Sequence, residues 1–246
     1  VDDVAASLRE ENRRYAEALR DGTVPAANRS AFNETGKTIA QIIQKPAAFT
    51  VNPGSFGGYY SFAQMNTFMN NLVSAYPSLA QKTSLGVSHE GRNIWCIKIS
   101  DNVTFDEANE PEVLYIGLQH AREAITGSSM IFFMMYLCER YMAGDEKIIE
   151  LVNNREIFII PCFNPDGWEY NRTTGGGVGA SWRKNRRNNP GSGSSEGVDL
   201  NRNWGIDWAN CSAPILGAPS SCGSGSYSSA TYYGPSAFSE PETRAL

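Results

Sequence analysis

No stretch of eighteen apolar residues occurs in the chain, so a membrane-spanning helix is not expected. The longest apolar run, residues 130–137, is short and reads as part of a buried helix. Positive charge is also in short supply. The formal net charge is −5, which argues against a nucleic-acid partner, since such proteins carry a basic face. Histidine is scarce, with only His89 and His120. None of the cysteines at 96, 138, 162, 211 and 222 has zinc-finger spacing. The chain opens Val1-Asp2-Asp3 without a leader-like apolar segment, and nothing about export follows from that. No internal repeat is visible.

What is present describes one large domain with a flanking segment. Residues 3–19 have a charged, weakly amphipathic helical pattern, and residues 20–60 carry enough Pro and Gly to read as a connector. The compact part is expected to begin near Tyr59. Ser61 is a candidate N-cap for a helix whose apolar positions are Phe62, Met65, Phe68, Met69, Leu72 and Val73. Residues 82–88 and 93–100 read as a hairpin, with His89 an ordinary polar residue of its turn. Apolar strands are expected at 113–118 and 157–163, with a long helix at 124–142 between them. Unbroken apolar strands imply a sheet covered on both faces, hence an α/β domain. Residues 171–229 are mostly loop, and so long a loop region is usually functional.

Cys211 and Cys222 bracket a Ser/Gly/Pro loop of a size that suits a local disulfide, and the other three cysteines read as small buried residues. Sequons stand at Asn28, Asn33, Asn102, Asn171 and Asn210. With the disulfide they lean towards an exported protein.

Three segments carry candidate chemistry. In His120-Ala121-Arg122-Glu123 an imidazole and a carboxylate can reach one cation, and both are good zinc ligands. Their position at the end of a buried strand is where ligand sites of α/β sheets lie. The plainer reading is a helix-capping Glu beside a polar His. Trp182-Arg183-Lys184-Asn185-Arg186-Arg187-Asn188-Asn189 concentrates cations in an acidic chain, which suits an anionic group or simply a solvated loop. Asp199-Leu200-Asn201-Arg202-Asn203-Trp204 offers an Arg fork and amide donors for a carboxylate. Gly193-Ser194-Ser195-Glu196-Gly197 fits a serine-hydrolase pattern, but it lacks the strand-to-helix elbow and a following His.

In this order, and with Asn164-Pro165-Asp166-Gly167, Tyr233-Gly234-Pro235 and Phe238-Ser239-Glu240-Pro241-Glu242-Thr243, the chain from Tyr59 to Leu246 resembles the zinc metallocarboxypeptidases. That family includes the pancreatic digestive enzymes and a similar bacterial group. The resemblance implies an α/β fold with a mixed, mostly parallel sheet and helices on both faces, incomplete at the C-terminus. Residues 1–55 would be the end of a pro-domain with its activation segment, and residues 56–246 the first part of a catalytic domain. His120 and Glu123 would bind Zn2+. Arg186 would polarise the scissile carbonyl, Asn201 and Arg202 would hold the terminal carboxylate, and Arg122 would bind the chain upstream. The implied partners are a peptide or protein with a free C-terminus, an activating protease and a second chain or segment carrying the rest. Neither nucleic acid nor a membrane is implied, and the implied location is extracellular. The family's third zinc ligand, a His, and its general base lie beyond the last motif. Residues 1–246 alone are therefore expected to be inactive and to hold zinc poorly. The alternatives are a non-catalytic relative that binds peptide C-termini or partner proteins, and an inert fragment.

Overall fold

The structure is a computed structural model that describes residues 53–174, 177, 179–189, 196–211 and 222–246. These belong to one compact unit, Pro46–Leu246. The expected charged helix, residues 1–52 of the proposed pro-segment and the sequons at Asn28 and Asn33 lie outside the described residues, as does most of the Gly-Ser-Ser-Glu-Gly match.

Among the described residues, packing into the core extends slightly before Tyr59. Phe56 is buried, and its ring lies 4.7 Å from that of Trp168. Helix α1 (Phe62–Ala75) starts at Ser61 with a capping box. Gln64 N–H donates to Ser61 Oγ at 3.2 Å and Ser61 N–H donates to Gln64 Oε1 at 3.0 Å, which satisfies two otherwise unpaired amides. Met65, Phe68, Met69 and Leu72 form its buried stripe, as their helical spacing requires.

Strands β1 (Ala80–Val87) and β2 (Asn93–Ile99) form the expected hairpin, closed by Ser88 N–H to Arg92 O at 2.8 Å. Strand β3 (Glu112–Ile116) leads through a loop to α2 (Ala124–Met142), then α3 (Glu146–Val152) and β4 (Glu156–Ile160). Helix α4 (Pro165–Thr173) follows, with Asn164 as N-cap and Pro165 in the first turn. A 3-10 turn (Leu200–Arg202) and the short α5 (Pro241–Arg244) complete the described elements. Helices α3 and α4 had no sequence expectation. Both are short, and α4 has few apolar residues to declare a period.

The sheet order is β1-β2-β4-β3. It is mixed, but the expectation of a mostly parallel sheet is not met within these four strands. The β1–β2 and β2–β4 pairs are antiparallel and only β3–β4 is parallel. The connections dictate this. A tight turn can join only antiparallel neighbours, whereas the α2–α3 crossover allows β3 and β4 to run together.

Alternation along the central strands feeds two cores. Ile97, Ile99, Ile157 and Ile159 face the larger one with α1, α2 and Trp168, while Ile94, Cys96 and Ile160 face Phe163 and Leu200. Complete burial of one such side chain is worth about 1.5–3 kcal/mol. Cover on both faces does not extend to β3, where Leu114 is 45% and Tyr115 40% exposed among the described residues. Cys96, Cys138 and Cys162 are buried thiols, and Cys211 is disulfide-bonded to Cys222, as expected.

Candidate metal and substrate site

Beyond β3 the main chain keeps its grip on the β4 segment. Gly117 N–H donates to Ile160 O, Phe163 N–H to Gly117 O and Asn164 N–H to Leu118 O. Leu118 is fully buried with φ of 49°, a left-handed conformation unfavourable for a branched side chain. Its N–H donates to Thr126 Oγ1 at 2.8 Å. This over-determined bend turns the chain out of the sheet and delivers His120 above the strand ends.

Glu123 occupies the N-cap position of α2, yet its side chain makes no capping hydrogen bond. The capping reading therefore fails. Glu123 Oε1 instead lies 2.8 Å from His120 Nδ1. On the other side of the ring, His120 Nε2 lies 3.1 Å from Asp199 Oδ1. Asp199 is fully buried, and its second oxygen accepts from Arg183 Nε at 3.1 Å and from a terminal Arg183 nitrogen at 2.9 Å. Burial would raise the Asp199 pKa, but hydrogen bonds from His120 and Arg183 outweigh it and hold the carboxyl below its ordinary range. A carboxylate on the far nitrogen of an imidazole fixes the ring and its tautomer, the arrangement found behind metal-binding histidines.

The backbone around these groups is stitched together by two buried amides. Asn164 Nδ2 donates to Lys184 O at 3.0 Å. Asn171 Nδ2 donates to Ala121 O and Trp182 O, each at 2.9 Å. Asn171 is 1% exposed, so this sequon residue is part of the scaffold. Gly167 packs beneath them, and a Cβ there would meet Lys184 O at 2.6 Å and the Ala121 Cβ at 2.8 Å.

The arginines have different surroundings. Arg186 is joined to His120 by no contact among the described residues. Its guanidinium lies over Tyr170 at 3.9 Å and Trp182 at 4.8 Å, and it pairs with Glu90 and Glu196. The arginine coupled to His120, through Asp199, is Arg183, which sequence reasoning left without a role. Arg183 also lines a cavity of about 250 Å³ with Trp182, Lys184, Glu196 and Tyr227. Neither His120 nor Glu123 lines that cavity. Asn201 and Arg202 follow Asp199 on the 3-10 turn, and Asn201 N–H donates to Asp199 Oδ1 at 3.1 Å. The Arg202 stem packs against Gly223, and one terminal nitrogen donates to Asn201 O at 2.8 Å. Neither Arg202 nor the exposed Arg122 has a carboxylate partner among the described residues.

His120 and Glu123 suit zinc in donor type, convergence and second-sphere support. They supply two ligands. The described groups that bring together three ligand atoms lie elsewhere: His89 with Glu240 and Glu242, Asp101 with Glu107 and Glu110, and Asp106 with Glu112 and Glu156.

The family model for zinc carboxypeptidase matches residues 65–246. The chain belongs to the zinc carboxypeptidase family. It is 42% identical over 159 residues to a zinc carboxypeptidase of Saccharothrix mutabilis subsp. capreolus, covering 65% of this chain and 35% of that one. It is 34% identical over 172 residues to carboxypeptidase D of Anas platyrhynchos, covering 68% of this chain and 11% of the relative. The crystal structure of the carboxypeptidase A from Helicoverpa armigera superposes with a TM-score of 0.64 at 28% identity, over all of this chain and 49% of that chain. The chain thus spans about a third of the bacterial zinc carboxypeptidase and half of the insect one. Membership of this family of hydrolases agrees with the His120–Glu123 convergence.

Proposed function

We propose that the protein is a zinc-dependent carboxypeptidase that hydrolyses the C-terminal bond of peptides and proteins, made for export as a zymogen. The observation that carries the reading is the approach of His120 Nδ1 to Glu123 Oε1 at 2.8 Å with Asp199 behind the imidazole. Zinc, when bound, supplies Lewis acidity towards a carbonyl and acidifies water. His120 and Glu123 would hold it, with a third ligand and a general base from outside the described residues, on the same polypeptide or a second chain. Asp199 keeps His120 in one tautomer. Arg183 turns two nitrogens to Asp199 and keeps its third for a developing oxyanion, a role for which Arg186 is less well placed. Arg202 and Asn201 receive the terminal carboxylate, and Arg122 the chain upstream.

The deciding experiment compares peptides with free and amidated C-termini. Arg202→Ala in the complete protein should raise KM for free peptides about tenfold or more and barely affect amidated ones, because only the former present a charge to the fork. Chelation should abolish hydrolysis, and zinc should restore it. Equal effects on both peptides, or chelator-insensitive hydrolysis, would sink this reading.

The N-terminal 55 residues are proposed to be a removable activation segment. Phe56 is anchored on Trp168, and Ser55 N–H donates to Gln64 Oε1 at 3.0 Å, so the compact unit resists cutting from there onward. Limited proteolysis should give its first cuts before Pro53. A first cut within α1 or β1 would contradict the assignment.

A further inference from the structure

Away from the site, three parts of the chain meet around two buried carboxyl groups, Glu240 and Glu242, both 0% exposed. They sit at the start of α5. His89 reaches them from the β1–β2 turn, and Asn185 and Arg187 reach them from the segment that carries Arg183.

The two carboxyl groups have opposite surroundings. Glu240 is fully furnished with donors. Its Oε2 faces His89 Nε2 at 2.8 Å and Asn185 Nδ2 at 2.8 Å. Its Oε1 accepts from Ser239 Oγ at 2.6 Å and from Arg187 at 3.1 Å. Glu242 has one side-chain donor, Asn185 Nδ2 at 3.1 Å from Oε2, beside its own backbone N–H, and among the described residues its buried Oε1 has no partner. The Asn185 amide cannot be turned the other way, because its Oδ1 accepts from the N–H groups of Val198 and Arg187. A cation between the carboxyls would face this fixed donor and the Arg187 guanidinium. Hydrogen-bond supply thus suits an ionised Glu240 beside a neutral Glu242.

We propose that Glu242 is held as a neutral carboxylic acid and that its proton locks the segment containing Arg183 and Asp199, so that loss of the proton at alkaline pH loosens that segment. The linkage is short. Asn185 carries both carboxyl contacts on its Nδ2, its Oδ1 holds Val198 N–H, and Val198 is bonded to Asp199 in sequence. An ionised Glu242 would place a second buried negative charge against Glu240 with only the Asn185 amide and its own backbone N–H to support it. The inference does not depend on peptidase activity.

The electrostatics run the same way. Burial pushes Glu242 from an ordinary value of 4.5 up to about 7, against the lowering by its own backbone N–H, Asn185 and the His89 charge, with the Glu240 charge adding to the rise. Between those values the folded chain holds a proton that the unfolded chain has released. The stabilisation from this group is therefore complete below 4.5 and is lost as pH rises through about 7. His89 is raised above 6.5 by its bond to Glu240, against the effect of burial, and its contribution is also lost on the alkaline side. Glu240 runs the other way. Burial would raise it, but His89, Ser239, Asn185 and Arg187 together lower it, so its contribution is lost only in acid. Tyr232 also feels the Glu240 and Arg187 charges, and its own pKa is raised, chiefly by burial.

The test is Glu242→Gln, which keeps the shape and cannot ionise. Between pH 5 and pH 8.5 the folding constant of the unsubstituted protein, from urea unfolding, should fall on the order of 10²-fold relative to the variant. Hydrogen exchange at the Asn185 and Val198 amides should be faster than in the variant at pH 9 and equal at pH 5.5. Parallel pH dependence of the two proteins, or equal exchange at pH 9, would overturn the proposal. Should the variant fail to fold, infrared spectroscopy of the unsubstituted protein decides. A protonated-carboxyl carbonyl band must be present at pH 5.5 and lost by pH 9 together with the exchange protection, and its persistence overturns the lock. Stabilisation at pH 9 by added zinc or calcium that Glu242→Gln abolishes would show a cation site in place of the proton, and would also overturn it.

Discussion

Arg183→Ala should lower kcat for hydrolysis of a free C-terminal residue by about 10²- to 10³-fold and change KM much less. The size follows from removing one preorganised donor to charge that exists only in the transition state. Arg186→Ala provides the contrast. Its guanidinium is already engaged by Tyr170, Trp182, Glu90 and Glu196, so its loss should chiefly reduce stability and leave kcat within several-fold. Arg183→Lys separates charge from geometry: a Lys cannot span Asp199 with two nitrogens and still present a third, so it should recover little. The assignment fails if Arg186→Ala gives the large kcat loss and Arg183→Ala does not.

Asp199→Ala should weaken zinc binding by the assembled protein about 10- to 100-fold, the usual cost of removing the partner that orients a metal-binding His. It should also destabilise the fold by about 3–5 kcal/mol, because it leaves the Arg183 guanidinium, 13% exposed, without its counter-charge. The two effects separate by experiment: chelator competition reports the metal, and urea unfolding of the metal-free protein reports the pair. Zinc affinity within twofold of the unsubstituted protein would remove Asp199 from any role behind His120.

Those two residues also mark where sequence reading stopped. The hairpin, α1 and α2 were legible because their periodicity is strong and Ser61 announces a start. His120 and Glu123 were legible as a pair because three-residue spacing and a strand end coincide. Arg183 and Arg186 could not be told apart, since both stand in one basic run and only a buried carboxylate seventy-nine positions from His120 selects between them. Asp199 appeared in a motif without a role, because its value lies in contacts to two distant residues. The β3 strand shows the opposite error. Its apolar run spoke for cover on both faces, and Leu114 and Tyr115 are open among the described residues.

The buried Asn171 bears on how the protein can be made. Its Asn171-Arg172-Thr173 triplet is legible to a glycosylating secretory pathway while the chain is still unfolded, before α4 has closed. A sugar on that amide nitrogen would consume a hydrogen donor and place a bulky group where Nδ2 must bridge Ala121 O and Trp182 O. In a host that glycosylates it, folding and modification would compete for one nitrogen, and a molecule modified first could not bring the His120 loop against the Trp182–Arg183 segment. Yield of competent protein would then depend on the host's enzymes and on the speed of α4 docking, two quantities that no inventory of native contacts contains.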